Sequence, residues 1–255
     1  MILFESDEII LGYKILGQGQ PLVLLHGFLE NSSMWDELIP ELENDFQLLM
    51  IDLPGHGASP EPSKSYTLEN VAKAIGDLLT IRGISKPSVI GHSMGGYVAL
   101  EIKKLIDIKV ILLHSNFWED SAQKKEDRNR VIELIQTKKN HFVSEAIPNL
   151  FFSENLGHCE GAIANLIQGA KDMSVASIAE ATSAMRDRLS NYDSAQRASI
   201  IHGAQDPIIS TEMLGGELKE NQIDAELYSI ENCGHMSIWE SKEELINILN
   251  HILIQ

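Results

Sequence analysis

The sequence predicts an α/β protein: a mostly parallel sheet with helices on both faces, interrupted once by a helical insertion. Three observations carry that prediction. Short apolar runs ending in turn residues alternate with amphipathic stretches over most of the 255 residues. The alternation lapses between Ser115 and Tyr192, where helical patterns continue without a strand pattern. One strand-to-helix junction reads Gly91-His92-Ser93-Met94-Gly95, a spacing that specifies a sharp turn.

The elements follow in chain order. Residues around Ile9–Ile15 read as strand with no helix before the next strand, so they form an antiparallel edge. Gly17-Gln18-Gly19 has no helix after it and reads as a hairpin loop. Leu22–Leu25 ends in His26-Gly27, and Gln47–Ile51 ends in Asp52-Leu53-Pro54-Gly55. Ser88–Ile90 ends in Gly91, Val110–Leu113 in His114, Ser199–Ile201 in His202-Gly203, and Ala225–Ile230 in Glu231-Asn232-Cys233-Gly234. Each reads as a buried strand closed by turn residues. Thr67 caps a helix whose apolar positions are Leu68, Val71, Ala72, Ile75, Leu78 and Leu79. Helices are also predicted over Met94–Leu105 and Glu243–Ile254. Strands alternating with helices imply a parallel sheet covered on both faces.

The interruption begins with a charged segment, Glu119 to Arg130. Helical spacing follows at Val131, Leu134 and Ile135, then Ile163, Leu166, Ile167 and Ala170, then Val175, Ile178, Thr182 and Met185. The chain therefore divides into a core of residues 1–115 and 193–255 and a helical lid, or cap, of residues 116–192.

Charge narrows the partners. With 37 acidic and 20 basic residues the net charge is −17, which repels nucleic acid and anionic membranes. A small molecule is the expected partner. The longest apolar runs fall short of the ~18 residues a membrane span needs, so no membrane insertion is expected. The two cysteines, Cys159 and Cys233, are too few for a disulfide framework and form no CxxC pair. With no basic or long apolar leader in the first ten residues, this implies a cytoplasmic protein, a monomer or homodimer. No dinucleotide fingerprint, Walker loop or HExxH is present, and nothing visible requires a metal or other cofactor.

Ser93 is the candidate nucleophile. Small residues two before and two after it let the backbone turn sharply, so the hydroxyl stands clear of the sheet. A serine needs a base, and nine histidines are available. His92 neighbours Ser93 at a strand end, where adjacent side chains face opposite ways. His26 and His56 fall in turns and read as braces, His202 belongs to a strand, and His141, His158 and His251 fall in helix or lid. His114 ends a strand and retains a possible role at the pocket. His235, in Cys233-Gly234-His235-Met236 after the last strand, is the candidate base. Its acid is Asp206, in Gly203-Ala204-Gln205-Asp206-Pro207 after the penultimate strand; Glu119 and Asp120 compete. Backbone N–H groups of Phe28 and Met94 are the candidate oxyanion donors. Leu29, Phe117, Trp118 and Met236 are candidate pocket residues, beside Phe28, Met94, Phe142, Phe151, Phe152 and Trp239.

Five segments together resemble the α/β-hydrolase family: His26-Gly27-Phe28, Asp52 through Ser59, Gly91 through Gly96, Gly203 through Asp206, and Gly234-His235-Met236. They stand in the family's order and span nearly all of the chain outside the lid. The resemblance implies an eight-stranded sheet, a lid after the sixth strand, and a Ser93–Asp206–His235 triad that hydrolyses small carboxylic esters through an acyl-enzyme. It implies a structural role for Asp52. Serine in the elbow departs from relatives that use aspartate there. Thioester, carbon–carbon bond or lyase chemistry on the same triad stays open: His26-Gly27-Phe28-Leu29, Trp35 and the DLPGHG run also resemble a lyase branch. So does a non-catalytic small-molecule sensor.

Overall fold

The apolar runs pair into one eight-stranded sheet of order β1-β2-β4-β3-β5-β6-β7-β8. The computed structural model describes residues 1–7 and 9–254. Its strands are β1 (Ile2–Ser6), β2 (Ile9–Leu16), β3 (Gln20–Leu25), β4 (Phe46–Asp52), β5 (Ser88–His92), β6 (Lys109–Leu113), β7 (Ser199–Gly203) and β8 (Glu226–Ile230). β2 runs antiparallel to both β1 and β4. Pairings from β4 through β8 are parallel.

The helices are α1 (Ile39–Leu42), α2 (Leu68–Ile81), α3 (Met94–Leu105), α4 (Ala122–Ala146), α5 (Glu160–Asp172), α6 (Val175–Arg186), α7 (Tyr192–Ala195), α8 (Thr211–Glu220), α9 (Ser237–Glu240) and α10 (Lys242–Leu253). Strand side chains alternate between two cores, as a period of two requires. Val23, Leu25, Val89, Val110, Leu112 and Ile200 pack on one face with Val71, Ile75 and Leu78 of α2, Val98 and Leu100 of α3, and Leu214 of α8. Leu22, Leu24, Ile90, Ile111, Leu113 and Ile201 pack on the other with Trp35, Leu42 and residues Leu245, Leu249 and Ile252 of α10. Thr67 does start α2: its hydroxyl and the Asn70 side chain form a reciprocal capping box.

The expected parallel sheet, antiparallel edge and helix positions are all present. The edge also includes β1, and the charged segment after Ser121 is already helix, the first turns of α4. One expectation is corrected. Gly17-Gln18-Gly19 is not a hairpin loop, because β2 and β3 do not pair; β4 lies between them. The turn crosses the start of β4, and a Cβ on Gly19 would lie 2.1 Å from Asp45 O. Spacing alone cannot separate a hairpin from such a crossing, which is decided by a strand formed later in the chain.

Strand order reverses between β3 and β5, where the chain first adds strands on one side and then on the other. In open α/β sheets the crevice beyond the carboxyl ends at such a point receives ligands. The loops after β3, β5, β6, β7 and β8 all emerge at that edge. Between β6 and β7 the chain forms α4, α5, α6 and the short α7, with α4 kinked at Lys138.

Close packing at the β5–α3 junction makes a contrast between two glycines. A Cβ on Gly95 would lie 2.4 Å from Leu25 O, whereas one on Gly76 in α2 meets nothing within 4 Å. Gly95→Ala is expected to lower stability by about 2 kcal/mol or more, and Gly76→Ala to raise it by about 0.5–1 kcal/mol. Urea unfolding midpoints check both; equal midpoints for the two variants would contradict the packing described.

Candidate active site

Ser93 joins β5 to α3 with φ 49° and ψ −114°, a region that costs a residue bearing a Cβ about 1–3 kcal/mol. The turn closes because its neighbours lack side chains. A Cβ on Gly91 would lie 2.4 Å from Gly95 O, and one on Gly96 would lie 2.3 Å from Ser115 Oγ. Ser93 N–H donates to Leu113 O at 3.0 Å, and Ser115 Oγ donates to Ser93 O at 2.7 Å. The strained residue is thereby fixed to the next strand, and its side chain stays partly exposed.

Leu29 and His114 share this positive-φ conformation, at 65° and 48°. Each follows a strand that flanks β5. Strained residues thus lie at or after three adjacent strands of the sheet. Among the described residues no hydrogen-bond acceptor takes the Phe28 N–H. Met94 N–H opens α3 and has no intrahelical acceptor. Two backbone donors are therefore free, one in the loop after β3 and one at the start of α3 next to Ser93.

The β7 and β8 loops supply an acid and an imidazole. His235 Nδ1 donates to Asp206 Oδ2 at 2.7 Å, with both residues buried. Ile208 and Ile209 N–H donate to the other Asp206 oxygen at 2.8 and 3.0 Å. Burial pushes the Asp206 carboxyl up. The opposing pull of His235 charge and of hydrogen bonds from His114 and His235 is stronger and holds it well below the usual carboxylate range. The competing acids are used elsewhere: Asp120 pairs with Arg128 and with Arg188, the latter at 2.7 Å, and Glu119 pairs with Lys125 at 3.0 Å. Among the described residues no hydrogen bond joins Ser93 Oγ to the His235 imidazole; such contacts are often long in an unliganded site and tighten around substrate.

Three further histidines crowd this pair. His114 Nδ1 lies 3.4 Å from Asp206 Oδ2, and His114 Nε2 meets Ser237 Oγ at 2.7 Å. His202 Nδ1 lies 3.9 Å from the same carboxylate oxygen. Burial pushes the His114 imidazole down to about 3, against the pull of Asp206. The His92 ring lies 5.1 Å from that of His235. Its Nε2 meets His235 O and its Nδ1 meets Glu30 Oε2, each at 2.9 Å. Both partners accept, so both ring nitrogens carry protons when Glu30 is ionised. Burial lowers the His92 imidazole, but the Glu30 charge together with the hydrogen bonds to Glu30 and to the His235 carbonyl outweighs it, and the net shift is upward. Glu30 is likewise raised by burial and lowered further by His92. Gly27 permits this contact, since a Cβ there would lie 2.7 Å from His92 Nδ1.

The sequence set His92 aside as base, and the structure adds its link to Glu30 and to the His235 backbone. No local signal marks Glu30, which becomes visible only once the loop after β3 folds back on β5. The turn histidines act as expected: His26 Nε2 accepts from Leu53 N–H, and His56 Nδ1 meets Pro54 O. Asp52 accepts from Ser32 and Ala58 N–H at 2.7 Å each.

The pocket residues separate into two groups. Leu29 and Met236 join one apolar cluster with Val143, Ile147, Phe151 and Ile178 of the helical segment. Phe117 instead packs in the sheet core, against Trp118 and Tyr192. A cavity of about 250 Å³ lies between the loop after β3 and α5, lined by Leu29, Glu30, Asn165, Leu166 and Trp239 among others. Phe117, Trp118 and Met236 do not line it. His114, Asp206 and His235 bring possible metal-ligating atoms within 4.8 Å of one another, although two of them already bond to each other.

With fold and geometry in place, the chain belongs to the alpha/beta hydrolase family, whose model matches residues 22–248. A thermophilic esterase from Thermogutta terrifontis superposes with a TM-score of 0.87 at 26% identity, covering 96% of this chain and 93% of that one. A human serine hydrolase-like protein is 39% identical over 130 residues, 46% of this chain and 63% of that protein. An uncharacterized Mycobacterium tuberculosis protein is 35% identical over 89 residues, 35% of this chain and 26% of its own length. The matches to these last two thus span under two thirds and about a quarter of their lengths.

The buried histidines make stability depend on pH. His26, His56, His114 and His202 are all lowered, chiefly by burial, and His56 falls to about 3. Unfolded chains bind protons at these sites below pH ~6.5 while the folded chain does not, so stability falls as pH falls. His92, raised, works in the opposite sense. His56 and His114 each cost on the order of 1 kcal/mol between pH 7.5 and 5.5. Urea midpoints are expected to drop over that interval; a midpoint that rises would contradict these assignments.

Proposed function

We propose that the protein is a serine hydrolase that cleaves small carboxylic esters through an acyl-enzyme. The observation that carries the reading is the buried His235–Asp206 hydrogen bond of 2.7 Å, set at the same sheet edge as a strained serine. His235 takes the Ser93 proton as the hydroxyl attacks the ester carbonyl. Asp206 keeps the imidazole in the right tautomer and balances the charge that forms. Phe28 and Met94 N–H groups hold the oxyanion. The alcohol leaves with the proton from His235, and water repeats the sequence on the acylated serine.

Residues 116–192 act as a lid over this edge, on the core of residues 1–115 and 193–255. The shared apolar cluster of Leu29 and Met236 with Val143, Ile147 and Phe151 supports that role, and Leu29 and Met236 shape the acyl side of the pocket. The esterase activity of the Thermogutta neighbour supports an ester substrate. Buried free thiols at Cys159 and Cys233 support a reducing, cytoplasmic setting. No described helix is long and apolar enough to cross a membrane.

The test is hydrolysis of p-nitrophenyl acetate and butyrate. Wild type is expected to show a burst followed by steady turnover. Ser93→Ala is expected to lose at least 10⁴-fold in kcat, and Asp206→Asn about 10³–10⁴-fold, with KM nearly unchanged. Folded wild type that neither hydrolyses these esters nor reacts with a fluorophosphonate would sink the assignment and favour a sensor.

A further inference from the structure

The residues that hold the catalytic-histidine loop converge on Glu240, the last residue of α9. Its Oε2 accepts from Phe152 N–H at 2.8 Å, from Asn155 Nδ2 at 3.0 Å and from Gly234 N–H at 3.0 Å. Its Oε1 accepts from Met236 N–H at 2.9 Å. The carboxylate thus grips the backbone on both sides of His235 and, through Oε2, two residues of the segment between α4 and α5. The neighbouring contacts join the same two segments. His235 N–H donates to Leu150 O at 2.8 Å, and Asn155 Nδ2 also donates to Asn232 O at 2.8 Å. Gly234 is pressed onto this segment so closely that a Cβ would lie 2.6 Å from Phe152 N and 2.8 Å from Leu150 O.

We infer that Glu240 is a positioning residue that makes the His235 loop and residues 150–155 one unit, so that the base is presented to Ser93 only while that part of the lid is seated. This rests on the reading of His235 as general base. The chemistry requires an acceptor-only group with two oxygens, because all four partners are donors. A glutamine has the same shape but turns an NH₂ toward N–H donors, so it leaves one pair unmade and opposed. The loop around His235 would then relax, and a misplacement near 1 Å is enough to cost about 10²-fold in rate. The contact holds Met236 by its backbone N–H alone, so the loss falls mainly on kcat and KM changes little.

The experiment compares wild type, Glu240→Gln, Asn155→Ala and the double variant by amide hydrogen exchange and by p-nitrophenyl butyrate kinetics. Exchange is expected to rise together at Gly234–Met236 and at Phe152–Asn155 in Glu240→Gln. Its kcat is expected to fall about 10–100-fold with KM within about twofold, and that of Asn155→Ala about 3–10-fold. The double variant should lose less than the product of the two single losses, because both act through one network. Asn155→Ala keeps the test in force if Glu240→Gln fails to fold. Unchanged exchange at Gly234–Met236, a full multiplicative loss in the double variant, or unchanged kcat in either single variant overturns the coupling. A wild type inactive on the ester overturns the functional reading instead, and exchange alone then decides the link.

Discussion

The structure depends on one backbone constraint, the sharp turn at Ser93. A residue with a Cβ is held at φ 49°, and it stays there only because three glycines let α3 approach β3 and β6 at distances that a single methyl group would forbid. That approach puts the first N–H of α3 beside the loop after β3. It also puts Ser115 close enough to hold the Ser93 carbonyl. The strain is offset by the strands around it, whose Leu22–Leu25, Val89–Ile90 and Val110–Leu113 side chains are fully buried. A stiff parallel sheet supplies the rigidity, and the turn uses it to hold the Ser93 side chain partly exposed at the sheet edge.

Charge is arranged around the same edge with the same economy. Asp206 holds its negative charge in a buried place because four groups face its oxygens with protons or positive potential: two backbone N–H donors, His235 and His114. His114 and His202 are kept neutral by burial, so they crowd the carboxylate without adding charge beside the His235–Asp206 pair. The Glu30–His92 pair sits beneath, neutral as a unit, and pins the His235 carbonyl. In such low-dielectric surroundings fixed hydrogen bonds are strong, and unpaired ones are costly. The backbone of His235 is accordingly held at its N–H, at its carbonyl and on both flanking residues.

Much of this was legible in the sequence because it is local. Strands of unbroken Leu, Ile and Val, the Thr67 cap and the glycine-spaced turn at Ser93 each announce themselves within a few residues. Asp206 and His235 were legible through their places after the last two strands. What was hidden depends on segments that meet only in the fold. Gly17-Gln18-Gly19 looked like a hairpin because β4, which separates β2 from β3, lies later in the chain. Glu30 and Glu240 carry no local pattern, and their meaning comes from donors brought from β5, from the β8 loop and from the helical segment. Phe117, read as a pocket residue, packs into the sheet core, since an aromatic after a strand serves either purpose equally well by pattern alone.

The central claim is that Ser93 carries the acyl group. Quenching wild type in acid during turnover of p-nitrophenyl butyrate, followed by peptide mass mapping, tests it directly. The account predicts butyrate on the peptide containing Ser93 and on no other serine, cysteine or threonine. An acyl group found elsewhere, or none in protein that is turning over ester, would contradict it.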